Sequence, residues 1–249
     1  MLAVGLVYAG LIAVFLGGIS LLKPLSFLGI HRRLHGLFLL GLGLAVAAAG
    51  GALPAKEMRV VARQTQLDEF APVYQFNEVH SIRVMAPRDR VYQAIKAVTP
   101  DEILFFRTLT SIRRFGRAAP QGILNAPEHL PVLEIATRTS FLLLAEARGR
   151  EVVVGTVVMA PPGWRPKGRP TPEDFKAIRQ PGFAAATMNF LVEDADSNAS
   201  TVTTETRVYA TDASAQRRFA VYWRTIYPGS ALIRRMWLRA VKRHAEMPP

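Results

Sequence analysis

The chain has 249 residues, half of them hydrophobic, with 31 Lys and Arg against 19 Asp and Glu and a formal charge of +12. It has no cysteine, which excludes disulfides, thiolate metal sites and a cysteine nucleophile. The basic residues are mostly arginines scattered along the chain, without an aromatic–basic RNA signature or a DNA-reading helix. An anionic lipid surface explains the charge equally well, and no nucleic-acid partner is expected.

The first 55 residues carry no acid and three basic side chains, Lys23, Arg32 and Arg33; 31 less these three leaves 28 basic residues, which lie beyond them with all 19 acids. Leu2–Leu22 is a run without a charged side chain. As a helix it would span about 31 Å, the thickness of a hydrocarbon core. Residues 36–55 form a second such run. Between them lie Lys23-Pro24, which stops the first helix, and the basic stretch His31-Arg32-Arg33-Leu34-His35, which suits a headgroup region. The expected organisation is a transmembrane hairpin over 1–55, a linker over 56–75 and one water-soluble domain over 76–249. Small residues recur at four-residue spacing, Gly5, Ala9, Ala13 and Gly17 on the first run and Gly43, Ala47 and Gly51 on the second. Such stripes let two backbones approach in lipid, either within the hairpin or between two copies as a homodimer. No acid interrupts either run, so the hairpin reads as an anchor and not as a transport path. The inter-helix loop holds three Lys and Arg, and nothing basic precedes the first run. A cytoplasmic loop would leave both chain ends, and hence the soluble domain, on the extracytoplasmic side of the plasma (inner) membrane.

Beyond residue 67 the pattern changes. Phe76-Asn77-Glu78-Val79-His80-Ser81-Ile82-Arg83-Val84 alternates as a strand, with Glu78 and His80 on the face of Phe76, Ile82 and Val84. A helix opens at Ala86-Pro87-Arg88-Asp89, with Val91, Tyr92, Ile95 and Val98 at helical spacing. Thr99-Pro100-Asp101-Glu102 has the form of a capping box and opens a second helix, expected to end at Arg114. Residues 141–147 and Glu151–Met159 read as a hairpin about Arg148-Gly149-Arg150. A Pro- and Gly-rich loop follows over 161–172, and Thr171 caps a short helix. Residues 183–192 and 201–209 are two further strands, with polar turn sequence between them. The chain closes in a long helix whose stripe Phe219, Tyr222, Trp223, Ile226 is expected to break at Pro228-Gly229 and to be recapped by Ser230, continuing through Ile233, Met236, Trp237 and Ala240. Its opposite face carries Arg235, Arg239, Lys242 and Arg243.

The run Ile82-Arg83-Val84-Met85-Ala86-Pro87 leading into Arg90-Val91-Tyr92-Gln93-Ala94-Ile95, with a terminal helix bearing Tyr222-Trp223 and Trp237, resembles the START-like or SRPBCC superfamily of polyketide cyclases and pollen-allergen proteins. The resemblance covers about residues 76–245 and implies an α+β helix-grip fold, an antiparallel curved sheet wrapped around a long C-terminal helix. It further implies a cavity between sheet and helix for an apolar, lipid-like ligand. The two N-terminal helices are not part of that common domain.

Several residues could give such a cavity polar chemistry. Glu78 and His80 share a face and form a candidate acid–base pair; the plainer reading leaves both in solvent, or makes His80 a satisfied core histidine. Asn189, with Thr187 two residues before it, could hold a ligand's polar head or bond neighbouring backbone. Tyr222 and Trp223 could stack on a ligand or simply pack. Glu205 and Arg207 share a face and suit a cross-strand ion pair. Arg235, Arg239, Lys242 and Arg243 are a solvated face, or a contact to anionic headgroups. No HExxH, GxSxG or P-loop is present, and only His31 and His35 stand at metal-like spacing; no metal or cofactor is expected. Three readings follow: a membrane-anchored binding or carrier domain, a membrane-bound cyclase- or hydrolase-type enzyme using Glu78 and His80, and an interaction module whose interior is filled by its own side chains.

Overall fold

A computed structural model describes residues 2–113, 122, 125–127, 129–166, 168 and 170–247. Contacts divide the chain into two compact units, Met1–Ala55 with Arg217–Tyr227, and Lys56–Gln216 with Pro228–Pro249.

The first unit is built on α1 (Leu2–Leu22) and α2 (Arg33–Ala52). α1 has the bounds of the uncharged run; α2 starts earlier than expected and takes in Arg33. Five glycines at seven-residue spacing make the contact: Gly10 and Gly17 on α1, and Gly36, Gly43 and Gly50 on α2. A Cβ at Gly10 would sit 2.5 Å from the Ala47 nitrogen, and one at Gly43 2.7 Å from the Gly10 carbonyl. Of the small residues noted in the sequence, Ala13, Gly17, Gly43 and Ala47 are used within the hairpin, whereas Gly5 and Gly51 meet nothing within 4 Å. Gly43→Val should therefore force the helices apart at a cost of about 1–3 kcal/mol, while Gly5→Val leaves them in place. Distances between spin labels on α1 and α2, measured for both variants in detergent, check this.

The second unit begins with β1 (Met58–Arg59), α3 (Gln66–Phe70) and β2 (Val73–Tyr74), so the stretch 56–75, expected as a linker, is structured. Then come β3 (Phe76–Val84), α4 (Arg88–Ala97), a 3-10 turn over Pro100–Glu102, α5 (Phe106–Arg113) and α6 (Val132–Thr139). The Thr99–Glu102 capping box forms, but it caps the 3-10 turn. The expected helix end at Arg114 lies outside the described residues, as do Lys167 and Arg169 in the Pro- and Gly-rich loop. β4 (Leu142–Ala147), β5 (Glu151–Met159), α7 (Pro172–Lys176), β6 (Ala184–Asp196), β7 (Ala199–Ala210) and α8 (Ala213–Glu246) complete the chain.

The main sheet is antiparallel, in the order β3-β7-β6-β5-β4. The protein is thus α+β, with the helix-grip arrangement of a sheet and a long C-terminal helix. One sheet face presents Met188, Phe190, Val192, Val202, Val152 and Val154 to the C-terminal part of α8, where Met236, Trp237 and Val241 are buried, and to α4, α5 and α6. The other face presents Val153 and Ala185 to Leu67 and Ala71, and to Phe175 of α7. Both faces are covered, which is why β6 reads as an apolar run and not as an alternation.

α8 does not break at Pro228. It runs unbroken over 34 residues with the proline inside it, capped at its start by Asp212, whose carboxylate accepts from the Ser214 and Ala215 N–H groups. Pro228 has no N–H to donate, so the helix crosses it without that one backbone bond.

Candidate functional site

Strand period puts Glu78 and His80 on one face of β3, and the register sets Glu78 opposite Thr206 and His80 opposite Thr204. That face looks toward α8. Glu78 is 3 % exposed. Its Oε1 lies 2.7 Å from His80 Nε2, and its Oε2 accepts from the Ser230 hydroxyl at 3.0 Å. A carboxylate oxygen accepts, so His80 Nε2 is the donor in this contact. One turn further along α8, Arg234 reaches the Thr204 hydroxyl at 3.4 Å.

Ser230 was expected to recap the helix; because α8 is continuous, its hydroxyl is free to bond Glu78 instead. Seven residues on, and therefore on nearly the same side of the helix, stands Trp237. It is 2 % exposed, and its indole edge lies against Phe190 with ring centroids 4.9 Å apart. Its indole N–H is buried without a hydrogen-bond partner. A buried donor left unpaired costs about 1–3 kcal/mol.

Asn189 and Thr187 fall on the opposite sheet face, because they alternate with Met188 and Phe190. There Asn189 belongs to a buried polar network. Its amide donates to Glu151 at 2.7 Å, and its carbonyl oxygen accepts from the Glu205 N–H at 3.0 Å. Glu151, 1 % exposed, also accepts from the N–H groups of Gln66 and Leu67, which open α3. Arg207 bonds both oxygens of Glu205, at 2.7 and 3.0 Å, and Asp68 at 2.7 Å, and it lies against the Tyr74 ring. Glu205 and Arg207 were expected to pair across strands; they instead pair with each other, two residues apart along β7. A cleft of about 450 Å³ opens beside the network, with Val60, Gln64, Thr65 and Thr203 on its walls. Burial pushes the Asp68 carboxyl up, but the Gln64 and Thr65 N–H groups and the Arg207 guanidinium outweigh it and hold it below the usual aspartate range.

Tyr222 and Trp223 lie in the part of α8 that groups with the N-terminal hairpin, where Trp223 stacks near Phe219 and Tyr227. Arg235, Arg239 and Arg243 are exposed. Lys242 bonds the Arg83 carbonyl and Glu246, and Arg243 bonds the Glu102 carbonyl. Among the described residues, no three His, Asp or Glu side chains converge on a metal-sized site.

The structure therefore brings Glu78 and His80 together and adds Ser230, which sequence reasoning assigned to capping; Trp237, assigned to the fold, lies two turns further along α8 against Phe190. The signal for Ser230 was its seven-residue distance from Trp237.

No family model matches the sequence, and no curated protein matches it. Solved structures are similar at low identity. A hypothetical protein of Helicobacter pylori is 9 % identical, with 76 % of this chain and 99 % of that chain covered and a TM-score of 0.38. An aromatase/cyclase of Streptomyces is 13 % identical, with coverage of 69 % and 93 % and a TM-score of 0.25. Norcoclaurine synthase of Thalictrum flavum is 8 % identical, with coverage of 75 % and 94 % and a TM-score of 0.25.

Proposed function

We propose that this chain is a membrane-anchored START-like (SRPBCC) domain that binds an apolar, lipid-like ligand between its sheet and α8, holding the ligand's polar head at Glu78, His80 and Ser230. The observation that carries this reading is the unpaired indole N–H of Trp237 inside an otherwise apolar interior. A donor there calls for an acceptor that the protein does not supply, and a ligand oxygen would supply it. Glu78, with its two partners, offers a polar grip on the same side of the helix.

Anchoring is supported by α1 and α2, which are long and apolar enough to cross a membrane, with 11 % and 17 % of their apolar windows buried. A core helix of a soluble protein would be mostly covered. Here Ile12, Phe15, Phe38 and Leu42 are each more than half exposed.

The Glu78–His80 contact also favours a second reading, acid–base catalysis. The order of the bonds argues against its hydrolase form. A serine nucleophile needs the imidazole between hydroxyl and carboxylate. Here the carboxylate sits between His80 and Ser230, so Ser230 lacks the imidazole base of that arrangement.

Native mass spectrometry of the full-length chain, delipidated in detergent and reloaded with a fluorescent sterol, whose hydroxyl can both donate and accept, tests the binding reading. One ligand per chain is expected. Trp237→Phe should weaken it about 2- to 12-fold, the worth of one neutral hydrogen bond. No uptake by the wild-type chain, or equal uptake by the variant, would sink the assignment.

A further inference from the structure

We propose that residues 217–227 of α8 form a third element of the membrane part, an aromatic–basic segment seated at the headgroup–acyl boundary of an anionic bilayer. The inference rests on the reading of α1 and α2 as membrane-spanning.

Composition gives the first argument. The segment holds Arg217, Arg218 and Arg224 beside Phe219, Tyr222, Trp223 and Tyr227, and α8 carries no acid before Glu246. Tyrosine and tryptophan with arginine is the pattern of an interface, where the rings sit at headgroup level and the cations meet lipid phosphates.

Bonding gives the second. Arg224 is 4 % exposed, and its guanidinium donates to the carbonyls of Gly51 and Leu53 at the C-terminal end of α2. Those carbonyls have no partner within their own helix. In hydrocarbon each would cost several kcal/mol, and the cation meets the negative end of the helix dipole. From the other helix, the Tyr8 hydroxyl donates to the Thr225 carbonyl at 2.6 Å. These three bonds tie the segment to both helices at one end of the hairpin.

Depth gives the third. Tyr8 is six residues from Leu2, about 9 Å along a helix of about 31 Å. Interfacial helices bury their apolar face about 5–10 Å below the headgroups. Phe219, Ala220, Trp223 and Arg224 are buried, whereas Arg217, Arg218, Val221 and Thr225 are exposed, Val221 at 58 %. Arg217, Val221 and Thr225 follow at four-residue spacing and form the outward stripe that would meet lipid.

The chain has no cysteine, so single cysteines can be placed at exposed positions and spin-labelled. Val221→Cys reports the segment, Phe15→Cys the spanning helix and Ser197→Cys the soluble domain. The full-length variants are reconstituted in vesicles containing phosphatidylglycerol, and each label's access to oxygen and to a water-soluble nickel complex is measured. The expected order is Phe15→Cys most oxygen-accessible, Ser197→Cys most nickel-accessible and Val221→Cys between them. In a Val221→Cys chain that also carries Arg224→Ala, the label should move toward water. A Val221→Cys label as nickel-accessible as that of Ser197→Cys, with Phe15→Cys in lipid, overturns the inference and leaves the anchor standing. A nickel-accessible Phe15→Cys label overturns the anchor itself.

Discussion

Arg207→Met is expected to destabilise the soluble domain by about 3–5 kcal/mol, the cost of removing one partner from a buried ion pair. Arg207 and Asp68 have side chains 9 % and 6 % exposed, and Glu205 17 %. Methionine fills much of the arginine stem's volume, so the loss is mostly electrostatic: two carboxylates remain in a site built around a cation. For a domain of this size the melting temperature should fall by about 6–20 °C, measured by near-ultraviolet circular dichroism. The pH dependence gives a second check. Asp68 is held below the usual aspartate range in the folded state, so its contribution is present above that range and is lost as the pH falls through the depressed value. Without Arg207 that value rises, and acid unfolding of the variant should begin at a higher pH. A variant that melts within about 1 kcal/mol of wild type would show the network to be dispensable, since that is the range of ordinary surface pairs.

The strand Phe76–Val84 and the β4–β5 hairpin were legible because alternation and a Gly-containing turn act locally. The shared face of Glu205 and Arg207 was legible too, since residues two apart on a strand share a face, but they were expected to pair across strands and instead pair with each other and with Asp68. What was hidden depended on the third dimension. α3 has five residues, too few for periodicity, and its start is completed by Glu151 from a strand more than eighty residues away. Glu151 itself read only as the first residue of a strand. Asn189 was expected near the ligand, yet its parity with Thr187 and Ala185 puts it on the other sheet face from Met188; the sequence carried that signal, but the apolar run on both sides of β6 masked it. Pro228 read as a stop because local propensity opposes it, yet the helix runs on across it. Once the helix is continuous, Ser230 changes from a cap into a partner of Glu78.

That partnership sets the last prediction. Glu78→Leu leaves the His80 and Ser230 donors unpaired in a buried place and should cost about 1–3 kcal/mol. Converting all three positions together, Glu78→Leu with His80→Leu and Ser230→Ala, removes donors and acceptors alike, and such replacements can be nearly neutral. Stability should therefore return toward wild type in the triple variant. Ligand binding should not. If the carboxylate grips a polar head, its loss removes a charge-assisted bond worth about 1.5–3 kcal/mol, about 10- to 150-fold in affinity, in both variants. The two readouts separate a structural cluster from a binding one. Recovered stability with lost uptake of the fluorescent sterol, whose hydroxyl can donate to a carboxylate, assigns Glu78 to the ligand. Recovered stability with wild-type uptake makes the cluster a packing device and moves the polar grip to Trp237 alone. The experiment reads function from what fails to recover, which a single substitution in a buried network cannot do, because there folding and binding fall together.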